Sequence, residues 1–181
     1  MDSPKMLLPY GRTTIIEKVI ENVVASDVGN TLVVLGSSGD EILKRIESTS
    51  VKHCFNENYK EGMLSSVKCG FRNLPEKYEA AMVIPGDFPG IGPHILNMLI
   101  SSLRQSEKKI VIPLFGTRRG HPILISFDLR DEVLRLDSGK GLRELMEILP
   151  DEVLEVGVSD PSVIRDIDTI EDYNNELKLI T

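Results

Sequence analysis

Ala80-Ala81-Met82-Val83-Ile84-Pro85-Gly86-Asp87-Phe88-Pro89 decides the reading of this chain. An apolar run leads directly into Pro-Gly, and a carboxylate follows at once. A short continuous apolar run bounded by turn residues is the pattern of a strand buried on both faces, as in a parallel sheet. Asp87 then sits just past the carboxyl end of that strand, where open α/β sheets bind their ligands. A lone carboxylate beside backbone that glycine keeps uncluttered suits a hard cation such as Mg2+. The same residue could instead close a type I turn and do nothing more.

Strand-like and helix-like segments alternate on either side of this stretch. Residues 13–25 place Ile15, Ile16, Val19, Ile20, Val23 and Val24 at helical spacing, with Thr13 or Thr14 as N-cap and Glu17 in the first turn. Strands are predicted over 31–35, 51–55, 80–84, 110–113, 122–126 and 153–158. Helices are predicted over 40–48, 65–73, 93–105, 128–134, 141–149 and 169–179. Thr169 caps the last of these, with Glu171 and Asp172 in its first turn. Strands separated by helices of this length form βαβ units. The expectation is one domain over residues 1–181, a three-layer α/β/α, Rossmann-like fold with a mostly parallel mixed sheet. The 110–126 region is the place for a local antiparallel excursion.

Composition narrows the function. The 181 residues are 41% hydrophobic and 27% charged, ordinary for a globular protein, with a formal net charge of −7. That charge argues against a broad surface for polyanions, and aromatics at 5% with no Trp argue against a base-stacking platform, so no nucleic-acid partner is expected. No apolar run reaches membrane-spanning length and no signal-peptide pattern opens the chain, so a cytoplasmic protein without a membrane partner is expected. Cys54 and Cys69 have no metal-ligand spacing and read as two reduced, buried thiols. There is no Gly-x-Ser-x-Gly elbow, no Walker loop and no Gly-x-Gly-x-x-Gly after a strand, so no covalent nucleophile is indicated.

Several clusters fall at predicted strand ends. Arg118-Arg119-Gly120-His121-Pro122 places two guanidinium groups beside a glycine, which suits phosphate or carboxylate recognition, or else makes a solvated basic turn. His121 would contact a ligand or hold the loop through a backbone hydrogen bond, and the second role is favoured. In Asp166-Ile167-Asp168-Thr169, alternation turns Ile167 inward and both carboxylates the same way, so one of them could supply the second half of a metal site with Asp87. Asp168 or Thr169 could equally serve only as a helix cap. Asn56-Glu57-Asn58-Tyr59-Lys60-Glu61-Gly62-Met63-Leu64-Ser65-Ser66 leads from a strand through a polar loop into a helix whose free N–H groups favour acceptor atoms on a ligand, with Ser65 as a plain N-cap the simpler reading. Lys5 is, locally, an ordinary solvated charge.

Taken in order, Lys5-Met-Leu-Leu-Pro-Tyr-Gly11, Glu61-Gly-Met-Leu-Ser-Ser66, Val83-Ile-Pro-Gly-Asp87-Phe-Pro89, Arg119-Gly-His-Pro122 and Asp166-Ile-Asp-Thr-Ile-Glu-Asp-Tyr173 resemble the MobA-like nucleotidyltransferases, and most of all the molybdenum cofactor cytidylyltransferases. The resemblance implies a fold of the nucleotide-diphospho-sugar transferase type. It implies a Mg2+-dependent enzyme that transfers CMP (or GMP) from CTP (or GTP) to molybdopterin or molybdenum cofactor and releases pyrophosphate, with a molybdenum hydroxylase as the enzyme served. It also implies residue roles: Lys5 on the triphosphate, Asp87 and Asp168 (less so Asp166) on the metal, Gly62, Ser65 and Ser66 at the nucleotide, and Arg119 and His121 at the acceptor. Two other readings accompany it. One is a same-fold transferase acting on a sugar phosphate or phospho-acid; the other is a non-catalytic protein that binds or delivers cofactor to a molybdenum enzyme.

The resemblance departs at the amino terminus. The family opens with a strand and the loop Leu-Ala-Ala-Gly-x-Ser-x-Arg-Met-Gly-x-x-Lys, whose N–H groups and arginine cradle the triphosphate. Aligned on Lys5, Met1 falls on the motif methionine and Asp2 replaces its glycine. The expectation is an internal start methionine with about 15 residues upstream, which leaves this chain short of a central strand, less stable, and weak in nucleotide binding. True loss of the loop, and of catalysis with it, is the alternative.

Overall fold

The computed structural model describes residues 4–49, 51–137 and 139–180. Met1 and Asp2, on which the amino-terminal motif register turns, lie outside the described residues. A single 3-10 turn, Lys5–Leu7, opens the fold, followed by a small hairpin of β1 (Pro9–Tyr10) and β2 (Thr13–Thr14) turned by Gly11 at φ 63°. α1 (Ile15–Val24) starts directly from it. The Thr14 hydroxyl accepts from the Glu17 N–H while the Glu17 carboxylate accepts from the Thr14 N–H, a reciprocal capping box.

β3 (Leu32–Leu35), α2 (Gly39–Ile46) and β4 (Lys52–Phe55) form a βαβ unit, with Leu32 opposite Lys52 and Leu35 opposite Phe55 in a parallel pair. α3 (Met63–Asn73) leads to β5 (Ala80–Val83), and α4 (Pro93–Arg104) leads to β6 (Ile110–Phe115). β7 (Arg118–Arg119) and β8 (Ile123–Ser126) turn back. α5 (Arg130–Arg135), α6 (Arg143–Ile148), β9 (Val153–Gly157) and α7 (Ile170–Leu179) complete the order.

The main sheet runs β5-β8-β6-β9. β8 is antiparallel to both β5 and β6, and β9 is parallel to β6, so β5, β6 and β9 share one direction. β7 pairs antiparallel with the end of β6, which makes β7–β8 the expected antiparallel excursion. β6 runs past its predicted end at Pro113. The proline lacks an N–H, but its carbonyl still accepts from Gly120 N–H at 2.9 Å.

Alternation along the strands builds the layers. Ile110, Ile112, Ile123 and Ile125 pack with Leu64, Val67 and Phe71 of α3 and Val133 and Leu145 of α5 and α6. Val111 and Leu124 point the other way, onto Val23 of α1 and Ile95, Leu96 and Leu99 of α4. Ile110, Val111 and Ile125 are 0% exposed, each worth about 1.5–3 kcal/mol of burial. A separate apolar cluster joins Ile16 and Ile20 of α1 to Leu35 of β3 and Ile42 and Ile46 of α2.

Hydrogen bonding divides the strands of these layers into two pieces. Among the described residues, no ladder joins β3 to β5. Helices bridge the division instead. α1 gives Ile16 and Ile20 to one cluster and Val23 to the other. On the opposite face, Gly70 of α3 lies against Val34 of β3 while Phe71 packs with Ala81 of β5. Leu32, Val33 and Val34 are accordingly only half-buried. Among the described residues, no helix is long and apolar enough to cross a membrane.

Candidate active site

Three distant segments converge at the carboxyl end of β5. The chain leaves the strand through Ile84 and Pro85, and Gly86 passes so close to the amino-terminal turn that a Cβ there would lie 3.2 Å from both Ile16 Cδ1 and Met6 Sδ. Asp87 follows. Its Oδ2 accepts from Lys5 Nζ at 2.9 Å, and the same ammonium donates to Asp168 Oδ1 at 2.8 Å. One cation thus bridges carboxylates separated by 81 positions of chain. Asp87 is largely covered, its side chain 18% exposed, and its Oδ1 is buried with no hydrogen-bond partner among the described residues.

The electrostatics follow from this bridge. Burial alone would lower the Lys5 pKa, but hydrogen bonds to Asp168 and Asp87, with their charges, outweigh it and hold the ammonium above its ordinary value. The hydrogen bond and charge of Lys5 hold the Asp168 carboxyl below the usual range. Asp166 goes the other way, raised by desolvation and by the charges of Asp168 and Asp87.

Packing explains why Asp168 arrives here. Ile167 is 0% exposed and anchors in a cluster with Tyr10 and Ile15, which turns Asp166 and Asp168 outward as the alternation predicts. The Ile167 N–H donates to the Asp87 carbonyl at 3.0 Å, tying the two acidic segments together. Thr169 forms a capping box with Asp172 at the start of α7. Glu176, 4% exposed, pairs with Arg165 at 2.7 Å and accepts from the Tyr10 hydroxyl at 3.3 Å, so α7, the 165–168 segment and β1 are held as one unit. Burial, then the Glu176 charge, push the Tyr10 hydroxyl up to about 12.

Sequence reasoning missed Asn22. It lies buried on the apolar face of α1 and donates both amide hydrogens, to the Pro89 carbonyl at 3.0 Å and the Ile91 carbonyl at 2.9 Å. It therefore clamps the loop that follows Asp87. A polar residue interrupting a helix's apolar stripe was the available signal.

The 56–66 segment corrects one expectation. Ser65 is not the N-cap of α3, because Gly62, at φ 99°, starts the helix earlier. The Ser65 hydroxyl accepts from Asn56 Nδ2 at 2.8 Å and lies 2.8 Å from the Gly62 carbonyl and 2.9 Å from that of Asn58, so its bonding capacity is spent shaping the loop. Asn56 also donates to the Ser66 hydroxyl at 3.0 Å. The two cysteines are free but half-exposed rather than buried, with their sulfurs 3.8 Å apart between β4 and α3.

Arg119 makes its ion pair elsewhere, while the His121 imidazole lies close enough to Asp87 to feel its charge. Arg119 pairs with Glu155 of β9 at 2.6 Å. The loop is held by the His121 backbone N–H, which donates to the Val163 carbonyl at 2.7 Å, and not by its ring. The imidazole packs edge-on to Phe88, ring centres 5.0 Å apart, with Nδ1 buried and unpartnered among the described residues. Burial lowers its pKa against the opposing charge of Asp87. Gly120 is required by packing: a Cβ there would sit 2.3 Å from the Val163 carbonyl oxygen. A depression of about 440 Å³ along Leu7, Pro9, Thr14, Glu41, Lys44 and Arg45 contains none of these groups.

Among the described residues, no three His, Cys, Asp or Glu side chains gather closely enough to cage a metal. Mg2+-type sites rarely need that, since one or two carboxylates are completed by phosphate oxygens and water. Asp87, with its unpaired buried oxygen, and Asp168 fit that donor set.

The sequence profile of the MobA-like NTP transferase domain matches residues 1–154. The chain belongs to the MobA-like NTP transferase family. It is 28% identical over 176 residues to nicotine blue oxidoreductase of Paenarthrobacter nicotinovorans, covering 93% of this chain and 85% of that protein. It is 25% identical over 116 residues to the probable molybdenum cofactor guanylyltransferase of Natranaerobius thermophilus, covering 64% of this chain and 55% of the relative. The crystal structure of Rv0371c from Mycobacterium tuberculosis H37Rv superposes with a TM-score of 0.87 at 23% identity, over 98% of this chain and 90% of that one. Its manganese complex gives a TM-score of 0.83 at 22% identity, over 98% and 93%. These structures share the α/β/α architecture found here.

Proposed function

We propose that this MobA-like chain is a cytoplasmic nucleotidyltransferase that moves CMP or GMP from CTP or GTP to the phosphate of a molybdopterin-type acceptor, releasing pyrophosphate, and that its product serves a molybdenum hydroxylase. One observation carries the reading: a single ammonium, Lys5, bridges Asp87 and Asp168 at the carboxyl end of β5. The relative named as a molybdenum cofactor guanylyltransferase supports the acceptor class, and the manganese complex of Rv0371c supports a divalent ion, Mg2+ or Mn2+.

The chemistry asks little of a general base, because an acceptor phosphate is already ionised near neutral pH. Asp87 and Asp168 would hold the metal, which when bound neutralises charge on the nucleotide phosphates. Lys5 binds those phosphates. Gly62 and Ser66 border the nucleotide, with Ser65 fixing the loop that carries them, and Arg119 and His121 border the acceptor. Positioning and charge neutralisation then supply the rate. We further propose that one more strand, leading into a phosphate loop, completes the sheet between β3 and β5; the unjoined edges of those strands support it. Prefixing the family's strand and loop to the chain then raises its melting temperature and its nucleotide affinity, and no change in either would count against the added strand.

Pyrophosphate release from CTP and GTP, with and without molybdopterin, tests the function. Release that requires molybdopterin and vanishes in Asp87→Asn supports it. Pterin binding without release supports a delivery protein instead. Dye reduction with no pyrophosphate would align the chain with the relative named an oxidoreductase.

A further inference from the structure

We infer that Lys5 is a placeholder for the divalent cation: in the nucleotide-free chain its ammonium fills the gap between Asp87 and Asp168, and loading of metal with nucleotide displaces it onto the phosphates. This rests on the reading that those two carboxylates hold the metal. The ammonium sits 2.9 Å from Asp87 Oδ2 and 2.8 Å from Asp168 Oδ1, the position from which a cation neutralises both. Lys5 reaches it on a flexible stem from a 3-10 turn only three residues long, and its head can swing without moving the sheet. Asp87 Oδ1, buried and unpartnered among the described residues, is the oxygen left to receive an incoming ion.

Position and charge together set the two cations against each other, since the ammonium already occupies the space between Asp87 Oδ2 and Asp168 Oδ1. The two carboxylates that Lys5 contacts sum with its ammonium to −1 and with a divalent ion in its place to zero, and Asp166 adds a further acidic group beside Asp168. Both together would put +2 beside +1 inside a partly buried site. Metal alone must therefore evict Lys5 with nothing to receive it. A triphosphate supplies the receiving anion, so nucleotide and metal load together and idle metal uptake is suppressed.

The test titrates Mn2+ into the 181-residue chain without nucleotide, reading free Mn2+ by electron paramagnetic resonance. Lys5→Met should bind Mn2+ at least about tenfold more tightly than the unaltered chain, since a unit charge about 4 Å from a divalent ion matters that much even with full water screening. Lys5→Arg keeps the charge and should stay near the unaltered affinity. Asp87→Asn should abolish binding in both backgrounds. Equal or weaker binding by Lys5→Met, with Asp87→Asn still abolishing it, overturns the placeholder and leaves the metal reading standing. Binding that survives Asp87→Asn overturns both. A second measurement needs no variant: saturating Mn2+ should raise the acetic anhydride labelling of Lys5 several-fold relative to Lys18 and Lys77. Mn2+ binding without that rise refutes the displacement.

Discussion

Asn22→Leu is the sharpest structural test of how the Asp87 loop is held. The replacement keeps the same number and branching of side-chain heavy atoms and keeps α1 apolar, but it removes both donors that satisfy the Pro89 and Ile91 carbonyls at 3.0 and 2.9 Å. Both residues are buried, so water does not reach those oxygens freely. Each abandoned acceptor costs about 1–3 kcal/mol, so the pair costs about 2–6 kcal/mol before any relaxation. The leucine recovers about 1 kcal/mol through added apolar burial. The expected loss is therefore about 1–5 kcal/mol, and a mid-range loss of about 3 kcal/mol lowers the melting temperature of a domain of this size by about 6–12 °C. Urea unfolding followed by circular dichroism gives the free energy, and a thermal scan gives the midpoint. Because the clamp sits two residues beyond Asp87, Mn2+ affinity should fall as well in protein that remains folded. A loss under about 0.5 kcal/mol, the size of an ordinary surface change, would refute the clamp.

Gly120→Ala should be among the most damaging single-methyl additions, since its Cβ would meet the Val163 carbonyl oxygen at 2.3 Å; a melting temperature unchanged within error would contradict the close approach. Lys5→Met should raise the Asp168 pKa toward the ordinary carboxylate value in a carboxyl-carbon NMR titration. Because Lys5 depresses the folded-state value, the linked stability is present above the unfolded pKa of about 3.9 and disappears as pH falls through the depressed value. The unaltered chain and Lys5→Met should thus differ near neutrality and converge in strong acid, and curves parallel down to the lowest pH would contradict the pairing. Burial first, and then Cys69, push the Cys54 thiol up to about 12, so a disulfide reagent at pH 8 should modify Cys54 far more slowly in folded protein than in urea. Equal rates would contradict it.

Much of this was legible in the residues. The run ending at Asp87 read correctly as a strand because its apolar residues are continuous and bounded by turn residues, but the expectation of a strand covered on both faces in a parallel pairing fails: only Ala81 of β5 is buried, and β5 lies at the edge of its sheet, antiparallel to β8. Asp168 was within reach because burying Ile167 fixes the direction of its neighbours. The caps at Thr14 and Thr169 were local as well, each settled within a single turn of helix. What stayed hidden depends on partners distant in sequence. Asn22 meets carbonyls 67 and 69 positions away, and no local pattern announces them. Arg119 is engaged by Glu155 because parallel pairing sets Glu155 opposite Ile112, a register invisible in either segment alone. Ser65 looked like a cap because hydroxyls favour that position, but the positive φ of Gly62 moved the helix start and freed the hydroxyl for the loop. Gly120 suggested anion recognition, whereas its role here is to let the 118–122 loop pass the Val163 carbonyl. Lys5 carried no local sign of its position between two acids; only the family resemblance singled it out.

The central claim is that Asp87 and Asp168 share one divalent ion beside a bound nucleotide. An anomalous-difference map from crystals of the chain soaked with Mn2+ and a non-hydrolysable CTP analogue tests it most directly. One peak is expected about 2.1 Å from an oxygen of each carboxylate, with the Lys5 ammonium moved onto the phosphates. A peak elsewhere, or Lys5 still bridging the two acids with nucleotide and Mn2+ bound, would contradict it.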